Sequence, residues 1–292
     1  MESYIKVLDE IENVNAALLN PDGQIVYNWN KLSKAQEELL FSLLSHFDDC
    51  YHILKSIHPP ILSGTEVFAD KWLKQVAHPT FSDFKSETSI YRDPFSEIIN
   101  KIKHNGDKLC SLVITSINKP LSITGKNINI IYLHENVRIP GYYLEGMQAD
   151  GVLGPHPDIH PGNTAISFNY DLRYHFANIY RVSKSLKKAV SNGIKRLHGV
   201  TLTYPRKLEK PPRKGQWEQV AERISHLSML FYENEYRKNI PEINFLKTSK
   251  GSEVQIATPR KRSTPWEGDT IIQSQFQVDA VALSYRPPYG VR

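Results

Sequence analysis

Residues 156–163 read His-Pro-Asp-Ile-His-Pro-Gly-Asn. Two imidazoles and a carboxylate within five residues are the donor types that hold zinc, manganese or iron. His134 and Glu135, just after a strand-like run, could bring further ligands to the same place. Asp150, Asp171 and His175 follow at greater distance. A divalent metal there would lower the pKa of a bound water and make a nucleophile at neutral pH. Asp158, between the imidazoles, would serve as ligand or as the catalytic base. In an extended chain His156, Asp158 and His160 share a side, whereas in a tight turn they splay apart. The spacing matches no diagnostic zinc motif, and Pro155, Pro157 and Pro161 suit a rigid surface turn equally well. The expected metal set is His134, Glu135, His156, Asp158 and His160, which would make the chain a metal-dependent hydrolase or nuclease. These residues alone do not decide between an enzyme and a binding protein.

The same string locally resembles the catalytic loop of aminoglycoside-phosphotransferase-like kinases, roughly H-G-D-x-H-x-x-N. The resemblance implies Asp158 as base, Asn163 as a metal ligand and Asp171 as a second metal-binding acid. It covers fewer than about 20 residues, Pro157 stands where the loop has glycine, and the step from Asn163 to Asp171 is short. No Gly-rich nucleotide loop accompanies it, and the chain is not assigned to that family.

A second chemistry lies in residues 172–198. On a wheel of about 100° per residue, Leu172, Phe176, Ile179, Leu186, Val190, Ile194 and Leu197 fall on one side. Arg181, Lys184, Lys188 and Lys195 fall opposite, flanked by Arg173 and Lys187, with Tyr174 and Tyr180 at the edges. Cations at this spacing can follow a phosphate backbone, and exposed tyrosines can stack on unpaired bases. Arg206, Lys207, Arg213 and Lys214 in the following segment would extend the track. The expected function is therefore a nucleic-acid-binding protein, with another polyanion as the alternative partner.

The charge distribution agrees. The chain of 292 residues carries a net charge of +5, but residues 1–145 sum to −4 and residues 146–292 to +9. The stretch 173–214 holds 12 Lys or Arg and one acid, Glu209. Such a surface repels itself unless something negative meets it. A third reading follows: a structural protein whose oppositely charged halves pair head to tail in a homo-oligomer.

Composition is that of a globular protein, 40% hydrophobic and 23% charged, which excludes wholesale disorder and a collagen-like repeat. The two cysteines, Cys50 and Cys110, form no CxxC pair and read as small buried hydrophobes in a reducing compartment. The acidic, amphipathic N-terminus lacks the pattern of a signal peptide, and no segment approaches the roughly 20 apolar residues of a membrane span. A cytoplasmic location is the expectation.

The elements that must position these residues read as α+β. Region 1–106 is expected to be helical and region 107–292 mixed, with one continuous domain as the alternative to two, and with a mainly antiparallel sheet and two long helices. Apolar spacing predicts helices over 2–19, from Ser33 to the Pro59-Pro60 stop, over 65–77, and from an Asp93 cap to Gly106. Ser33 and Gln36 fit a capping box. Leu109 to Ile117 and Ile128 to Leu133 read as a strand pair. Residues 134–170 read as a long irregular stretch, of the kind that is more often functional than idle. Helices follow over 172–198 and 216–236, separated by an exposed loop, and Ile272 to Ala282 alternates like a strand with one wet face.

Overall fold

The computed structural model describes residues 1–18, 27–59, 68–117, 138–203, 214–227, 242–248, 251–257, 269–274, 285, 286 and 288. The fold is α+β. Its helices are α1 (Glu2–Leu18), α2 (Trp29–Ser56), α3 (Ala69–Val76), α4 (His78–Asn105), α5 (Phe168–His198) and α6 (Lys214–His226). Its strands are β1 (Leu109–Ile117), β2 (Arg138–Met147), β3 (Leu153–Pro155), β4 (Ile166–Ser167), β5 (Glu242–Thr248), β6 (Gly251–Ala257) and β7 (Asp269–Ser274). The main sheet runs β3-β2-β1-β7, with β4 also on β2, and β5 and β6 form a separate hairpin. All these pairings are antiparallel. One apolar core joins the helical and mixed regions, taking in Leu8, Leu39, Phe84, Leu109, Leu144, Phe176 and Ile224.

Several helices start or stop elsewhere than the sequence suggests. Asn28 caps α2, its side chain accepting from the Asn30 amide at 3.1 Å. The Ser33/Gln36 pair is not a cap: Ser33 is buried and shares a 2.7 Å hydrogen bond with Ser111 of β1. No new helix begins at Asp93 either, because α4 runs through Pro94. The carbonyl that a proline leaves unpaired belongs to the residue four before it, here Ile90. Ile90 is 80% exposed, so water can take that bond. Gly106, at φ 74°, ends the helix in the left-handed conformation that glycine accepts freely.

The strand order also corrects the expectation. β1 pairs with β2 and β7, while 128–133 lies outside the described residues. β2 falls inside the stretch read as irregular, because Pro140 and Gly141 weaken its strand signal. Side chains alternate across the sheet as a strand requires. Leu109, Val113, Tyr142 and Leu144 join the helical core, while Leu112, Ile139 and Tyr143 are buried on the other face.

α5 is the longest helix. Ser167 caps it, accepting from the Tyr170 amide, and Gly199 closes it. Its first three turns are buried nearly all round. Beyond them the buried stripe is Val182, Ser185, Ala189 and Gly193, not the Leu186–Val190–Ile194 ridge, which is only half-buried. Small side chains let α5 approach closely here. A Cβ on Gly193 would lie 2.5 Å from Cδ1 of Ile57, just past the end of α2. Cys50 is buried as read, Cys110 is only half-buried, and burial pushes both thiols up to about 12. Among the described residues no helix is long and apolar enough to cross a membrane.

Candidate functional site

α5 carries two different chemistries, one on its inner N-terminal half and one on its outer C-terminal half. The outer half holds the cations of the basic stripe. Arg181, Lys184, Lys187 and Lys195 are exposed. From Arg181 to Lys195 the helix rises about 21 Å at 1.5 Å per residue. Two neighbouring cations are already matched by α4. Lys188 pairs with Glu87, whose carboxylate also accepts from Ser185 Oγ at 2.7 Å. Those contacts hold the Glu87 carboxyl below the usual range and raise the Lys188 ammonium. Arg196 reaches Asp83 at 2.8 Å.

Other members of the expected stripe do different work. Arg173 is 2% exposed and donates to the carbonyls of Ser225 and Leu227, at 3.2 and 2.5 Å. It thus satisfies acceptors that the end of α6 leaves open, and burial lowers its pKa to about 10. Arg173 is a structural anchor, not a surface cation. Tyr174 is half-buried and stacked on Tyr170. Tyr180 is 41% exposed, with its ring edge on Phe176. Lys214 opens α6, while Arg206, Lys207 and Arg213 lie outside the described residues.

The histidine loop divides. His160 turns inward, 1% exposed, and its Nε2 accepts the Leu144 amide at 2.8 Å. The ring thereby ties the loop to β2 and spends that nitrogen. His156 and Asp158 stay together, Nδ1 to Oδ2 at 3.8 Å, and His156 Nε2 lies 3.9 Å from Asp107. Asp158 is exposed and pairs with Lys101 at 3.0 Å, which holds its carboxyl below the usual range. Among the described residues no three His, Cys, Asp or Glu side chains are grouped to hold a metal ion. His134 and Glu135 lie outside those residues.

The inner half of α5 builds a site the sequence only hinted at. Asp171 and His175 stand one turn apart on the same face, and both are buried. Oδ2 of Asp171 accepts from Gln36 Nε2 at 2.6 Å, Tyr142 OH at 3.0 Å and His175 Nε2 at 3.1 Å. His175 Nδ1 meets Tyr91 OH at 2.9 Å. His175 thus bridges Asp171 through Nε2 and Tyr91 through Nδ1. The network joins α2, α4, α5 and β2. It forms the floor of a cavity of about 150 Å³ between α4 and α5, with Pro94, Glu97 and Asp158 as its exposed lining. Burial, with Tyr4 and Asp171 nearby, raises the Tyr91 pKa well above the ordinary tyrosine value and keeps the hydroxyl protonated. The i, i+4 spacing of Asp171 and His175 was visible in the sequence. Gln36, Tyr91 and Tyr142 carried no signal, because they come from three other elements.

Compared with known proteins, the chain matches no family model, no curated protein and no solved structure.

Proposed function

We propose that the chain is a nucleic-acid-binding protein and that the outer face of α5 is its contact surface. The observation that carries this reading is the row Arg181, Lys184, Lys187 and Lys195, exposed on one helix whose other end is held in the core. About 21 Å of helix spans roughly six phosphates of one duplex strand at 3.4 Å each. The row is shorter than the sequence stripe, since Arg173 is buried and Lys188 has an acidic partner.

The test is fluorescence anisotropy with a labelled single-stranded oligonucleotide and its duplex, repeated over a salt series. Four phosphate contacts give a slope of log K against log salt near −3 to −4. Changing Arg181, Lys184 and Lys195 together to Glu removes binding and leaves thermal unfolding unchanged, because all three are exposed. Lys188 is left alone, since a carboxylate there would face Glu87. Salt-independent binding, or a triple variant that binds like the parent, overturns the proposal.

A further inference from the structure

The cavity between α4 and α5 has a composition that selects for charge. Five aromatic rings line it: Tyr91, Phe95, Tyr142, Tyr170 and Tyr174. Three carboxylates line it as well, Asp171 at the floor and Glu97 and Asp158 where the lining is exposed. Among the described lining residues there is no lysine and no arginine. The rings pack around one another, with Tyr91 5.1 Å from Phe95 and 5.6 Å from Tyr174, and Tyr170 stacked on Tyr174.

Each class of ligand can be set against that lining. An anion would face three carboxylates. A neutral apolar ligand would use the rings and leave the carboxylates without a role. A bare divalent metal needs several oxygen or nitrogen donors converging within about 2–2.6 Å, and no such group occurs among the described residues. A cation that also carries hydrocarbon uses both kinds of wall. Its charge is attracted to aromatic faces within about 6 Å and to the carboxylates, while its methyl or methylene groups displace water from the rings.

We propose that this cavity binds an organic cation, a primary or methylated ammonium group, held by the tyrosine and phenylalanine rings and by Glu97, Asp158 and Asp171. Lys101 tunes the site. Its ammonium sits 3.0 Å from Asp158 and its side chain is only 17% exposed, so it occupies one of the two carboxylates at the entrance. A ligand cation therefore shares Asp158 with Lys101. The proposal stands apart from the outer face of α5 and does not depend on it.

The experiment is isothermal titration calorimetry of the full chain with choline and with dimethylbutanol, the neutral alcohol in which carbon replaces the choline nitrogen. Choline binds, and the alcohol binds at least about tenfold more weakly, because only the charge differs. Glu97→Gln with Asp158→Asn weakens choline about tenfold. Lys101→Met acts in the opposite direction and tightens it, since Asp158 loses its internal partner. Tyr174→Leu, at a half-buried ring, weakens choline more than the alcohol. Thermal unfolding of each variant checks that the fold is kept. Absence of choline binding, equal affinity for choline and the alcohol, or Lys101→Met and Asp158→Asn shifting affinity the same way overturns the proposal.

Discussion

Replacing Asp171 by alanine tests whether the buried network holds four elements together. The substitution removes the acceptor of three donors, from Gln36, Tyr142 and His175, which are 0%, 1% and 3% exposed. A buried donor left without a partner costs about 1–3 kcal/mol, so three give a ceiling of about 3–9 kcal/mol. The donors share one oxygen and can partly re-pair, and the space left by the carboxylate has polar walls that suit a water. The expected loss is therefore about 3–5 kcal/mol, in the lower half of that range. Asp171→Asn keeps an acceptor of the same shape and loses only the charge assistance, about 1–3 kcal/mol in all. Equilibrium urea unfolding, followed by tryptophan fluorescence, reads both. With a slope of about 2.5 kcal/mol/M the alanine variant shifts the midpoint by roughly 1.5 M. A shift under about 0.4 M, or an asparagine variant less stable than the alanine one, refutes the account of Asp171 as the common acceptor.

Two further outcomes follow from local geometry and titration. Gly146→Ala places a Cβ 2.5 Å from His156 Cδ2 and 3.0 Å from its Cβ, so urea unfolding should show a loss of about 1–3 kcal/mol, most of it recovered when His156→Ala is added; no recovery would place the clash elsewhere. Stability should also fall in two steps as pH drops. Burial lowers the pKa of His46 and of His58, whose Nε2 has no hydrogen-bond partner among the described residues. The unfolded chain takes up these protons first, so the contribution is complete above about 6.5 and is lost as pH falls toward the folded values. Glu87, Asp150 and Asp158, held low by Lys188, Arg286 and Lys101, act below about 4, whereas half-buried Glu37 and exposed Asp48, both raised, act in the opposite sense above it. Urea midpoints from about pH 8 to 3 check this, and changing both histidines to asparagine should flatten the upper step alone.

The helices read well from sequence where one apolar stripe meets one core, as in α1, whose Tyr4, Leu8, Ile11 and Val14 are all buried. Reading failed where a local pattern had a tertiary use. Ser33 and Gln36 have cap spacing, yet their partners are 78 and 135 residues away. The wheel for residues 172–198 counted large apolar residues and so favoured Leu186, Val190 and Ile194. The closer contact uses Ser185, Ala189 and Gly193, which carry little hydropathy but permit a near approach. Arg173 looked like a surface cation because nothing in the sequence says that α6 ends beside it. The site was half legible for the same reason: Asp171 and His175 share a helix, but the groups that fix them arrive from α2, α4 and β2.

The charge asymmetry also takes a different meaning in three dimensions. Arg223 of α6 reaches Asp9 and Glu12 of α1, at 2.7 and 2.9 Å, while Lys188 and Arg196 of α5 reach Glu87 and Asp83 of α4. Each pair joins the acidic first half to the basic second half within one chain. Exposed pairs contribute little energy singly, but together they consume charge that head-to-tail association between copies would need. The cations on α5 without an acidic partner of this kind include Arg181, Lys184 and Lys195, which are exposed. The intramolecular pairing thus leaves the basic excess of α5 on a few exposed side chains. A rigid row of cations facing solvent is better suited to a polyanion from outside than to a second copy of the same chain.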